Sequence, residues 1–215
     1  MAAAKRHKTP ETAPEGAPRP KLDWNELNSP ARKRIEKAAA RLFGSQGIDG
    51  TTTREIAKAA ECSEGVIYRH WPSKEALALY LFNSVHLKLA GYLRYTNAKG
   101  VRIDDQASAI VEIYCGLADM QWDLFAFHLM STNYFLPTPE GEDNPVAAAE
   151  DIVRGAMARG EIPEGDPVIV AAMALGVVLQ PALHKVYGRL GGSLTPHAPA
   201  IKRAVIAVLT AGEYA

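Results

Sequence analysis

Apolar residues recur at Ile35, Ala38, Ala39, Leu42 and Phe43, the three-and-four spacing of one helix face, while Arg32, Lys33, Arg34, Lys37 and Arg41 ring the remainder. Pro30 behind Ser29 marks the first turn and its N-cap, and Gly47 closes the segment. The next start is Thr52-Thr53-Arg54-Glu55, a capping box with Thr52 as N-cap and Glu55 at the third helical position. Ile56, Ala57 and Ala60 give this second helix its buried face. Ser63 can cap a third over 64–70, in which Ile67 and Trp71 face inward with Val66 at the edge. Pro72 forbids continuation, and Ser73 caps a fourth helix beginning Lys74-Glu75-Ala76-Leu77.

Two short helices joined by a tight turn and braced on each side form a helix-turn-helix. An isolated helix under about 12–15 residues is marginal in water, so neighbours must hold the second short one. It leaves Glu64, Tyr68 and Arg69 outward, the last two four and five positions after the first, and such a helix can enter a DNA major groove.

Beyond Leu77 the pattern stays helical, with segments over 74–97, 103–119, 121–130, 145–159, 167–189 and 196–211. Gly100, Pro137 and Pro139, Gly160 and Pro163, and Gly191-Gly192 mark the breaks. No alternating run of strand type competes. The expected fold is all-α with about nine helices: a basic, proline-rich arm over 1–28, a helix-turn-helix domain over 29–76 and a larger helical body over 77–215. The 167–189 segment is apolar nearly all round (Val168, Ile169, Val170, Met173, Leu175, Val177, Val178, Leu179, Leu183), so it needs cover on every side. A larger monomer core could supply all of it; a partner subunit is the simpler cover for one side. Ile201, Val205, Val208 and Leu209 give the last helix a matching stripe.

Charge sharpens this division. The chain is neutral over its 215 residues, yet residues 1–74 carry 14 Lys/Arg against 9 Asp/Glu and residues 75–215 carry 10 against 15. A basic first third points to a polyanion partner for that third alone. Cys62 and Cys115 have no metal-ligand or redox spacing, and both read as reduced apolar packers. The N-terminus lacks a signal-peptide core, and the run from Val168 to Leu179 is short for a membrane span, so a cytoplasmic protein without membrane partner is expected. No cofactor, metal site or catalytic residue is indicated: there is no glycine-rich phosphate loop, GxSxG elbow or HExxH, and the histidines are scattered.

The ordered set LFGSQGIDGTTTREIAKAAECSEGVIYRHWPSKEAL resembles the DNA-binding domain of the tetracycline-repressor (TetR-type) family of bacterial transcriptional regulators, over about residues 32–81. The resemblance implies a homodimer whose last two long helices pair with their mates, an inducer pocket in the body, and two heads reading a palindromic double-stranded operator. Two departures stand out. Glu61 occupies a turn position where the family often has Gly; a left-handed Glu there costs roughly 1–2 kcal/mol. Glu64 stands where Lys is common; it either accepts from cytosine N4 or offsets the helix dipole, worth about 0.3–1 kcal/mol.

By the same resemblance Thr52 is a cap and secondarily a phosphate contact, and Thr53 and Arg54 are backbone contacts. Ser63 caps and offers its amide to a phosphate. Tyr68, His70 and Lys74 bind phosphate, and Arg69 reads a base, guanine in the first instance. Val66 touches a thymine methyl or packs, Arg32 and Lys33 either contact phosphate or form a solvated face, and Trp71 belongs to the core. In the body, Tyr114, Trp122, Phe125, His128, Leu129, Tyr134, Phe135, Gln180 and His184 are candidates for a mostly apolar effector pocket, against the alternative of plain core. Met173, Val177, Leu183, Ile201, Val205, Val208 and Leu209 are the expected dimer interface. The function expected is a repressor released from its operator by a small apolar or amphipathic effector. The alternatives are a constitutive regulator or activator without inducer, and last an enzyme.

Overall fold

The computed structural model describes residues 29–98, 100–135 and 144–212; the arm 1–28 and the break expected at Pro137 and Pro139 lie outside them. Nine α-helices and no strand occur among the described residues. The first, α1 (Pro30–Gln46), starts where Ser29 Oγ accepts from the Arg32 amide at 3.2 Å, and Gly47 at φ 77° ends it. The capping box of α2 (Thr53–Ala59) has both halves: Thr52 Oγ1 accepts from the Glu55 amide at 3.2 Å, and Glu55 Oε2 accepts from the Thr52 amide at 2.8 Å. Then follow α3 (Glu64–His70) and α4 (Lys74–Ala98), with Ser73 Oγ accepting from the Ala76 amide. Ser63 holds the N-cap position of α3, but its hydroxyl makes no cap bond.

The body consists of most of α4 with α5 (Ile103–Met120), α6 (Trp122–Phe135), α7 (Pro145–Ala158), α8 (Pro167–Val186) and, after a 3-10 turn at Thr195–His197, α9 (Ala198–Thr210). Three extents differ from the sequence pattern. Helix α6 runs five residues past Met130 through polar Ser131, Thr132 and Asn133, because its other side remains packed. Helix α8 runs through Pro181, as its expected span requires, but ends at Val186 rather than at residue 189; the missing N–H of Pro181 leaves the preceding turn one bond short. Helix α9 starts late because Asp119 captures the chain before it, accepting from the Leu194 amide at 2.7 Å, the Thr195 amide at 2.9 Å and the Thr195 hydroxyl at 2.6 Å.

Two cores form. In the head, Ile35, Phe43, Ile56, Ile67 and Trp71 close on one another, and Leu77, Leu81 and Phe82 of α4 and Phe127 of α6 complete the cluster. The expected boundary at residue 76 thus falls inside α4, whose first turns serve the head. Full burial of such side chains contributes about 1.5–3 kcal/mol each. The Phe43 and Phe127 rings, 5.5 Å apart, pack α1 directly on α6. The body core gathers Val111, Cys115, Phe125, Ile152, Val170 and Val178. It also takes in Ile201, Val205 and Leu209, at 7%, 5% and 4% exposure, which corrects their expected place at a dimer interface. Their stripe faces the monomer's own core, and the opposite positions of α9, Ala200, Arg203, Ala204 and Ala207, are exposed.

Helix α8 is the one helix among the described residues long and apolar enough to cross a membrane; 22% of that window is buried. The helix runs past the apolar stretch over 168–179, through Pro181 to Val186, within the span expected from the sequence.

Candidate nucleic-acid interface and internal cavity

Helix α3 has two faces made by alternating chemistry. Ile67 is fully buried, Val66 half-buried against the head core, and Tyr68 and Arg69 are exposed. Arg54 and Lys33 are exposed as well. The turn between α2 and α3 contains the one left-handed non-glycine among the described residues, Glu61 at φ 53°. Arg34 Nε donates to the Ala60 carbonyl at 3.0 Å and so pins the turn to α1, a contact the sequence did not suggest.

Four candidates are engaged differently from expectation. The Lys74 ammonium donates to the Ile48 carbonyl at 2.7 Å and the Thr51 carbonyl at 2.9 Å; it clamps the loop between α1 and α2. Arg32 is buried; its guanidinium donates to Glu36 at 2.9 Å and lies over the rings of Trp71 (5.0 Å) and Tyr80 (4.9 Å). Burial lowers its pKa, but the bonds to Glu36 and Tyr80 outweigh this and leave it raised. Neither cation is a free phosphate ligand, since each is spent on structure. The third is Thr53, whose hydroxyl donates to Glu64 at 2.7 Å and receives a long bond from Tyr68 at 3.4 Å. The last is His70, half-buried with its ring edge-on to Trp71 at 5.5 Å.

In the body a cavity of about 430 Å³ opens between α4, α5, α6, α7 and α8. Tyr114, His128 and Leu129 line it. Trp122 instead lies under the Lys185 ammonium at 4.2 Å, and Phe125 is core packed edge-on to Tyr114. Phe135 packs at 4.8 Å on Phe82 in the head cluster. Tyr134 is exposed, and so are Gln180 and His184, because these two lie on the side of α8 away from the cavity. Leu183, expected at the dimer interface, lines the cavity. The α4 wall (His86, Leu89, Tyr92, Leu93) was missed, since a long helix packed along both sides gives no periodic sign of which face borders empty space.

His86 Nδ1 and His128 Nε2 stand 3.3 Å apart, and both rings stack on Phe82, with centroids at 5.0 and 4.7 Å. Burial lowers the pKa of His86; burial, and then His86 itself, push His128 down to about 3. At neutral pH both are therefore uncharged, one donating to the other. Burial, and then neighbouring Cys115, raise the Tyr114 phenol. Among the described residues no group bonds Tyr114 Oη or His128 Nδ1.

These features define a helical protein with a helix-turn-helix head on a cavity-bearing body. Residues 35–81 match the family model of bacterial regulatory proteins, tetR family. Over 67 residues the chain is 39% identical to the uncharacterized HTH-type transcriptional regulator YuxN of Bacillus subtilis, a match covering 31% of this chain and 22% of that protein. The chain thus spans about a fifth of the length of this curated relative. In fold it is similar to FadR of Bacillus subtilis in complex with stearoyl-CoA (TM-score 0.64, 16% identity, 82% of this chain and 98% of that one). It is also similar to the TetR-family regulator PfmR of Thermus thermophilus (TM-score 0.65, 18% identity, 82% and 97%). Residues 35–81 therefore form a tetR-family DNA-binding domain, and the chain shares the fold of these structural neighbours.

Proposed function

We propose that the protein is a homodimeric DNA-binding transcriptional regulator, a repressor released from a palindromic operator by a small molecule held in the body. The observation that carries this reading is α3 itself: Ile67 sealed into the head, and Tyr68 and Arg69 exposed beside it on a helix too short to stand alone. Arg69 reads a base, Arg54, Lys33 and Tyr68 meet phosphates, and Lys74, Arg32 and Arg34 keep the unit rigid.

The exposed apolar side of α8, with Val168, Ile169 and Met173, is covered by a second copy. Helix α9 packs beside α8 and brings small exposed Ala204 and Ala207. Of the expected interface, Met173 remains on this surface, while Val177 and Val208 are half-buried at its edge. Two heads held this way read half-sites about 34–36 Å apart, or a multiple.

Response to a ligand is supported by Phe82, which belongs to the head core and also stacks on two histidines of the cavity wall. An effector shifts the heads only by its differential affinity for the two states; taking the equilibrium from 1:99 to 99:1 needs about 5.5 kcal/mol.

Footprinting on the DNA upstream of the protein's own gene tests the reading. A protected palindrome whose affinity falls steeply with salt, and is lost in Arg69→Ala, is the expected result. No protection there and none on a random-site library would overturn it.

A further inference from the structure

We propose that the body cavity takes an uncharged amphipath, with a carbonyl or hydroxyl oxygen read by Tyr114 and the His86–His128 pair and an apolar tail directed toward α9. This rests on the reading of the body as a ligand-binding unit and names the ligand's chemistry.

The polar end follows from two orphaned groups. Tyr114 is 5% exposed and His128 6%, both line the cavity, and neither Tyr114 Oη nor His128 Nδ1 has a hydrogen-bond partner among the described residues. A buried polar atom left so is costly, so a cavity occupant must serve it. The phenol donates to an oxygen. His128 Nδ1 donates or accepts according to which histidine donates across the pair, so a carbonyl and a hydroxyl can both be satisfied.

The tail follows from the opposite end. A smaller cavity of about 60 Å³ adjoins the first, and Leu93, Ile110, Leu175 and Val178 wall both. Its lining is apolar throughout and reaches Val205 and Leu209 of α9. Along α5 the order is apolar end first, Ile103 to Val111, and polar end last, at Tyr114. The polar end therefore sits beside Phe82 and the head, and the tail lies away from it.

The absence of charge excludes the obvious rival. No Lys, Arg, Asp or Glu among the described residues lines either cavity. A carboxylate there would face neutral donors only, unless it forced a proton onto a pair whose burial opposes it. The phosphates of an acyl-CoA, the kind of ligand named with the FadR neighbour, would find no cation in this wall.

The test uses the whole purified protein and three matched probes: benzylacetone (neutral ketone), hydrocinnamate (its carboxylate counterpart) and butylbenzene (no polar group). Thermal shift and calorimetry at neutral pH read binding. The ketone is expected to bind at least about tenfold tighter than either other probe. Tyr114→Phe is expected to weaken the ketone severalfold and leave butylbenzene unchanged; His128→Asn supplies the same comparison should the first variant fold poorly. Hydrocinnamate binding as tightly as the ketone, equal binding of ketone and butylbenzene, or binding of none of the three would overturn the proposal. Ketone binding in a protein that footprints no DNA would leave the cavity assignment standing and remove the regulator reading instead.

Discussion

The hydroxyl of Thr53 donates to the carboxylate of Glu64 at 2.7 Å, so the first residues of the two short head helices are tied together on the face proposed to meet DNA. Thr53 cannot give the same proton to a phosphate, and Glu64 adds a negative charge where the proposed complex would bring phosphates. Glu64→Gln keeps an acceptor and removes the charge. At about 8 Å in water one unit charge is worth roughly 0.5 kcal/mol per phosphate. Affinity for random-sequence DNA should therefore rise roughly two- to fivefold at low salt. Fluorescence anisotropy titration checks this, and unchanged or weaker binding would show that the carboxylate reads a base.

Lys74 and Arg69 are expected to separate cleanly. Lys74→Met leaves the Ile48 and Thr51 carbonyls without their charged donor, a loss of about 1.5–3 kcal/mol for such bonds. Its weaker DNA binding should track loss of folded head, with the salt slope of the folded fraction unchanged. Arg69→Ala, at an exposed position, should leave the unfolding midpoint alone and cost about 1–3 kcal/mol of operator binding. A salt slope reduced by about one in Lys74→Met would restore the lysine as a phosphate ligand.

Glu61 stands at φ 53° in the turn, where a side chain costs roughly 1–2 kcal/mol and glycine does not. Part of that gain is offset by the freer unfolded chain that Gly brings. Glu61→Gly should therefore raise stability by about 0.5–1 kcal/mol without altering DNA affinity more than twofold. Urea unfolding checks the sign; a lower midpoint would mean that the Glu61 side chain holds the turn.

What the sequence made legible was what local chemistry decides. Thr52 and Glu55 announce their helix because a capping box is written in four consecutive residues, and Ile67 and Tyr68 take opposite faces because the helix period alone puts them there. The resemblance marked the turn at Glu61 but left open whether it differs there or tolerates a left-handed Glu; at φ 53° it is left-handed. Contacts across long separations were not. Nothing near Lys74 says that Ile48 and Thr51 will turn their carbonyls toward it, and nothing near His86 points to His128, 42 positions on. Arg32 reads as a phosphate contact or a solvated charge among its basic neighbours until Trp71 and Tyr80 close around it. The α9 stripe was visible, but a stripe has no label for what covers it; here the monomer's own core does.

The same histidine pair makes stability depend on acid. The folded pKa of His128 is about 3, against an ordinary value of 6.5, and that of His86 is also lowered by burial. The unfolded chain therefore binds more protons than the folded one between these values. Stability from this source is complete above pH 6.5, falls as pH drops below it, and goes on falling toward pH 3. From pH 7 to pH 5, His128 alone should remove about 2 kcal/mol, since one pKa unit corresponds to about 1.4 kcal/mol. His128→Asn cannot titrate and should flatten that part of the profile, leaving the smaller share of His86. Urea midpoints measured across this range in both proteins check it. Parallel profiles would mean that His128 is protonated in the folded protein, and the cavity would then be charged and open to a carboxylate after all.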